Sequence, residues 1–149
     1  MPNWCENKIW VRGNTSELDR LVEFISSEER EFDFQKVLPY PEDSDINEHD
    51  WRIDNWGTRS QPDEPLVYVY GGEAEIGFLT AWSPSLGITQ TLSELFPRLE
   101  FEHGYEEGGE DFSGVFYFVN GEITEQKQGC FGDIRIFEDD YYDWALKHQ

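Results

Sequence analysis

Acidic side chains outnumber basic ones by 32 to 11 in this chain of 149 residues, giving a net charge of −21 at pH 7. That imbalance constrains the fold before anything else does. No compact arrangement can hide so many carboxylates, so they must face water and the core must be built from what remains. What remains is poor in aliphatics and rich in rings, with Trp 6, Tyr 7 and Phe 11. Each buried ring removes a large apolar area from water, so an aromatic core is feasible. The length suffices for one domain without disulfide staples. The charge also sorts partners: it repels phosphate backbones and anionic membranes and attracts basic surfaces, so no direct nucleic-acid binding and no membrane binding are expected.

Cys5 and Cys130 form no CxxC or Cys/His pattern, which points away from zinc and redox chemistry. No apolar run approaches the roughly 20 residues that span a bilayer. The start, Met1-Pro2-Asn3-Trp4, lacks a basic segment followed by an apolar one, so no secretory signal is read and the cytoplasm is the expected compartment.

Hydrophobic periodicity gives the element order. Lys8 to Val11 reads as a strand closed by Gly13. Asn14 reads as a helix N-cap with Glu17 as capping-box partner, and Leu18, Leu21, Val22 and Ile25 extend a helix from Thr15 to about Glu29. A short strand is expected from Phe32 to Val37, ended by Pro39 and Pro41. The long acidic stretch Glu42 to Pro65 reads as a loop that folds back through Trp51, Ile53 and Trp56. Leu66 to Tyr70 and Glu75 to Thr80 form a hairpin through Gly71-Gly72. A second helix runs from Ser85 to Phe96, stopped by Pro97. Strands follow at Leu99 to Tyr105 and Phe112 to Val119, and Asn120-Gly121 makes a type I′ turn into Glu122 to Gln126. Phe137 to Lys147 reads as a short aromatic helix or an irregular tail. The order implies an α+β, ferredoxin-like (split βαβ) sheet with two helices on one face and added strands. Residues 1–149 read as a single domain with an acidic aromatic C-terminal segment from about 130.

No catalytic centre is legible, and an enzyme is not expected. Asp43, Asp45, Asn47 and Asp54 imitate a calcium loop, but Glu48 stands where a Gly is needed and the last position lacks Glu, so no metal and no cofactor is expected. His49, His103 and His148 lie at no metal-ligand spacing, and His103 reads as a surface or edge residue. The aromatic strand Phe112 to Phe118 is loosely like a base-stacking strand, but lacks a basic residue, so core packing is the expected use. Acids cluster at Glu106, Glu107, Glu110 and Asp111, and at Glu138, Asp139, Asp140 and Asp143, the second set interleaved with Tyr141, Tyr142 and Trp144. Carboxylates on a rigid surface can approach the charge density of duplex DNA, one charge per ~1.7 Å of axis. A solvated loop and tail is the plainer reading.

Three short stretches, Pro2-Asn3-Trp4-Cys5-Glu6-Asn7, Asp54-Asn55-Trp56-Gly57-Thr58 and Ala81-Trp82-Ser83-Pro84, resemble the YubB-like ferredoxin-like family of phages and conjugative plasmids. The resemblance spans roughly residues 1 to 125. It implies a ferredoxin-like core and a mobile-element origin, and no catalytic residues. Joined to the charge, it leads to the expectation of an acidic DNA mimic. Such a protein would block a host nucleic-acid-directed defence complex, CRISPR or restriction, by occupying a basic nucleic-acid-binding surface. The partner-binding residues would be Glu106, Glu107, Glu110, Asp111, Glu138, Asp139, Asp140, Asp143, Tyr141 and Tyr142. The alternative is an accessory ligand- or peptide-binding domain using a cleft lined by Trp56 and Trp82, with the acidity serving solubility; against it stands the use of both rings as core.

Overall fold

The computed structural model describes residues 2–134. The expected helix or tail at Phe137 to Lys147 lies outside them.

The first strand, β1 (Trp4–Arg12), shows how the charge problem is solved. Cys5, Asn7, Ile9 and Val11 are buried on one side, while Trp4, Glu6, Trp10 and Arg12 keep contact with water on the other. Helix α1 (Thr15–Ile25) follows, with the Asn14 carboxamide oxygen accepting from the Ser16 N–H at 2.8 Å. Glu17 pairs with Arg20 and Arg98. The helix ends at Ile25, short of the expected Glu29, because no apolar residue continues its stripe and the chain turns back, Asp33 N–H reaching the Ile25 carbonyl at 2.7 Å.

The strand expected at Phe32 to Val37 is instead a single helical turn, α2 (Phe34–Val37). A strand there would bury Phe32, Phe34 and Lys36 and turn Val37 outward. One helical turn buries Phe34 and Val37 together and leaves Lys36 in water. The expected loop from Glu42 to Pro65 also contains a helix, α3 (Glu48–Trp56), capped by Asn47 accepting from Asp50 N–H and closed by Gly57 at φ +93. It folds back as expected: Trp51 and Trp56 are buried, with Trp56 5.3 Å from Phe34 and Trp51 5.4 Å from Tyr40 between ring centroids.

β2 (Asp63–Tyr70) and β3 (Glu73–Ala81) form the expected hairpin, α4 (Leu86–Leu95) the expected second long helix. β4 (Glu100–Glu107), β5 (Phe112–Val119) and β6 (Glu122–Gly129) complete the order. Asn120 at φ 48 and Gly121 at φ 81 give the β5–β6 turn the two positive φ values of type I′. All neighbours in the six-stranded sheet β2-β3-β1-β4-β5-β6 are antiparallel. The order β4-β1-β3-β2 is the ferredoxin-like core, and β5 and β6 extend it beyond β4. Leu18, Leu21 and Ile25 of α1 and Ile88 and Leu92 of α4 share one core with Ile9, Ile76, Phe78, Phe101 and Phe118, so both helices cover the same face of the sheet.

Candidate functional site

Among the described residues the other face carries no helix, and the strand register determines what stands there. One row runs across the whole sheet: Tyr68 is opposite Glu75, Glu75 opposite Trp10, Trp10 opposite Glu102, Glu102 opposite Tyr117 and Tyr117 opposite Glu125. Rings and carboxylates alternate strand by strand. The next row places Tyr70, Glu73, Arg12 and Glu100 side by side, and Glu6 and Glu106 face each other one row the other way. Between these rows Lys8 lies flanked by Gly77 and Gly104, where no side chain stands on either neighbouring strand.

The cations of this face are already engaged. Lys8 is 2.5 Å from Glu75 with both side chains 8% exposed, and it sits 5.3 Å from the Trp10 ring centroid. Glu75 also accepts from the Tyr70 hydroxyl at 2.8 Å. Arg12 lies 3.5 Å from Glu73 and 4.0 Å from Glu102. Glu6 and Glu106 stand opposite each other, Arg12 stands opposite both Glu73 and Glu100, and Lys127 lies 4.0 Å from Glu125, so carboxylates outnumber cations and the face stays negative. Burial first, then the carboxylates of Glu102 and Glu125, raise the pKa of Tyr117 above the usual phenol value, so its hydroxyl keeps its proton.

The covered face holds a different polar group. His103 was expected at the surface, yet it is fully buried, because it shares the parity of Phe101 and Tyr105 and points toward α4. The Thr89 hydroxyl lies 2.7 Å from its Nδ1, and its Nε2 lies 2.8 Å from the Asn7 carboxamide oxygen. Asn7 donates to Thr80 at 2.8 Å and to the Cys5 carbonyl at 3.1 Å; Thr80 donates to the Ser83 carbonyl at 2.6 Å. The line is satisfied from end to end by a neutral ring with its proton on Nε2. Burial pushes the His103 pKa down to about 3 and, with Glu107 nearby, the Cys5 thiol up to about 12. Such groups hold a structure together and are poor acids, bases or nucleophiles near neutrality.

The acidic residues singled out in the sequence separate. Glu106 lies on the open face, and Glu110 and Asp111 are exposed at the β4–β5 turn. Glu107 points the other way, is 2% exposed and accepts from the N–H groups of Gly109 and Glu110, so it closes its own turn and is not presented to a partner. Glu138, Asp139, Asp140, Tyr141, Tyr142 and Asp143 lie outside the described residues. Asn47 and Asp54 belong to α3 and its cap, and among the described residues no group of acids, His or Cys is placed to hold a metal ion.

The Trp56/Trp82 cleft does not form, because Trp56 is wholly buried, donating to the Leu38 carbonyl at 2.7 Å, while Trp82 is 40% exposed. Their motifs do meet. Ser83 donates to the Gly57 carbonyl at 2.6 Å, Thr58 to the Ala81 carbonyl at 2.9 Å, and Trp82 N–H to the Asn3 carbonyl at 2.8 Å. A side chain at Gly87 would collide with the Asn55 carbonyl, which is how closely α4 approaches the end of α3. The three stretches therefore form one structural joint at the end of the sheet. The row of rings and acids on the open face went unseen in the sequence, since it exists only once six strands are in register.

The family model described as the ferredoxin-like domain in Api92-like protein matches residues 55–140. The crystal structure of protein api92 from Yersinia pseudotuberculosis shares the fold, with a TM-score of 0.69 at 10% identity, covering 91% of this chain and 100% of that one. No curated protein matches the sequence. Both matches name the Api92-like family where the tryptophan motifs resembled the YubB-like one; the ferredoxin-like expectation is met, and neither match carries the phage or plasmid origin. Among the described residues no helix is long and apolar enough to cross a membrane.

Proposed function

The chain belongs to the family of the ferredoxin-like domain in Api92-like protein, and on that scaffold we propose a binding protein, without chemistry of its own, that holds a basic, nucleic-acid-handling protein against the open face of its sheet. The observation that carries this reading is the alternating row Tyr68–Glu75–Trp10–Glu102–Tyr117–Glu125. Acids also cover the helices, and carboxylates alone would serve solubility. Rings set between them leave apolar area in water, a cost that a covering partner removes. The carboxylates steer a basic protein to the face and the rings hold it there. Glu106, Glu110 and Asp111 continue the negative surface toward the β4–β5 turn. The motif resemblance supports a finer setting. The protein would come from a mobile element, act in the host cytoplasm, and occupy the nucleic-acid channel of a CRISPR or restriction complex.

The test is capture of partners from a host lysate by wild-type protein and by a variant carrying Glu102→Lys, Glu106→Lys, Glu110→Lys and Glu125→Lys. The reading expects a basic nucleic-acid-binding protein that is lost with the reversed variant, released by raised salt and displaced by nucleic acid. Capture indifferent to all three would overturn it.

A further inference from the structure

We propose that the chain covers part of its own open face: residues 135–149 occupy a glycine-floored trough there, with their rings on Gly104, Val115 and the stem of Lys8. The trough is the row Gly77–Lys8–Gly104–Val115, two residues along each strand from the alternating row of rings and acids. No helix of the described residues crosses this face, and two of the four positions supply no side chain to shelter their neighbours, so a bare sheet would leave the row open to water. Its middle is nevertheless buried. Gly104 and Lys8 are buried and Val115 is 7% exposed, whereas Gly77 at the far end is only half-buried and a side chain there would meet nothing within 4 Å. The ion pair with Glu75 accounts for the Lys8 head group but not for Gly104 and Val115, which carry no charge. Lys127, opposite Val115 on β6, keeps its side chain 66% exposed and gives it little shelter. Glycines inside strands also mark places where other groups come close to the backbone.

The course of the chain past β6 identifies the occupant. Ser113 stands on this face, two residues before Val115; its hydroxyl donates to the Cys130 carbonyl at 2.6 Å and accepts from the Ile134 N–H at 3.2 Å. By Ile134 the chain has therefore turned back from β6 onto the open face. Val115 lies about 7 Å further along β5, and Lys8 two strands beyond it, about 10 Å across the sheet. The sequence continues through residues 135–149, which at 1.5 Å per residue would span about 20 Å, more than the buried length of the trough. Those residues hold Phe137, Tyr141, Tyr142, Trp144 and Leu146, apolar material of the kind a glycine floor lets lie close. Their carboxylates and those of the face repel each other, so the rings hold the cover and salt tightens it. The cover does not depend on the docking reading above. Where both hold, Glu138, Asp139, Asp140 and Asp143 stand beside the alternating row, and the two acid clusters of the sequence share one face.

The test places a thiol under the cover with Val115→Cys, beside two references the chain already has, Cys130 exposed and Cys5 buried. The full chain is treated with a maleimide and each labelled position is followed by mass spectrometry. The new thiol is expected to react at least about tenfold more slowly than Cys130, more slowly still at raised salt, and at a rate independent of protein concentration. Adding Tyr141→Ser and Trp144→Ser should bring it close to the Cys130 rate while Cys5 stays unlabelled, which shows the core intact. Phe137→Ser alone serves where that pair exposes Cys5, and Tyr141→Phe with Trp144→Phe should keep the protection. Reaction as fast as at Cys130 in the otherwise unaltered chain would show the trough bare and overturn the proposal. Protection that survives the serine changes would assign the cover to another part of the molecule, and protection that grows with protein concentration would assign it to a second copy; either overturns it. The acidic docking face stands or falls separately, by the lysate capture.

Discussion

Phe101 and Glu102 are consecutive in β4, yet one is 2% exposed beneath the helices and the other stands on the open face. The two faces of this sheet are made by the same strands and differ only in parity, and each deals with polarity in its own way. The covered face holds its polar atoms in a neutral line, Thr89–His103–Asn7–Thr80, in which every hydrogen bond is made, and at Glu107, whose carboxylate accepts from the N–H groups of Gly109 and Glu110. The open face keeps full charges and manages them by pairing, as Lys8 does with Glu75. A chain of −21 can have a stable core because alternation lets the strands send nearly all their carboxylates to one side, Glu107 being the exception.

The comparison breaks most visibly on the covered side. Trp56→Ala removes a wholly buried ring and orphans the Leu38 carbonyl, and should cost about 3–5 kcal/mol in urea unfolding. A loss below 1 kcal/mol would mean that α3 is not part of the core.

On the open face, Lys8→Met strands the Glu75 carboxylate at a position with 8% exposure and should cost about 3 kcal/mol. Adding Glu75→Leu should restore most of it, because the penalty lies in the uncompensated charge and not in the pair's own strength. No recovery in the double variant would place the cost in packing.

The third difference is one of titration. His103 has a folded pKa near 3 against an ordinary value of 6.5, so the unfolded chain takes up a proton more readily than the folded one. Its contribution is therefore complete above about pH 6.5 and is lost as pH falls toward 3, at up to about 1.4 kcal/mol per unit. Nitrogen chemical shifts should show this imidazole still neutral at pH 5; a charged ring there would mean that the site is open to water.

Much of the fold was legible locally. Asn14 announced α1, Asn120-Gly121 the last hairpin, and alternation the strands. α3 was missed because its stripe holds only Trp51 and Trp56 within a run of acids, although Asn47 with Asp50 three residues on, and Gly57 beyond, are ordinary start and stop signals. His103 was misplaced by weighing its acidic neighbours over its parity with Phe101 and Tyr105. The candidate face could not be read at all: Glu75, Trp10, Glu102 and Tyr117 belong to four strands, and only the register makes them neighbours.

The position of β1 in mid-sheet has a kinetic side. The first strand of this sheet to be synthesised finds its partners in β3 and β4, and Asn7 meets His103 across 96 positions of chain. Loops of that length close slowly, and a topology rich in them folds on the slow side of the range for small domains. Until β4 has left the ribosome, the apolar side of β1 has no complete sheet to join. Between the synthesis of β1 and that of β4, Ile9 and Val11 are unsheltered, and the many like charges, which keep neighbouring nascent chains apart, act as protection during that interval.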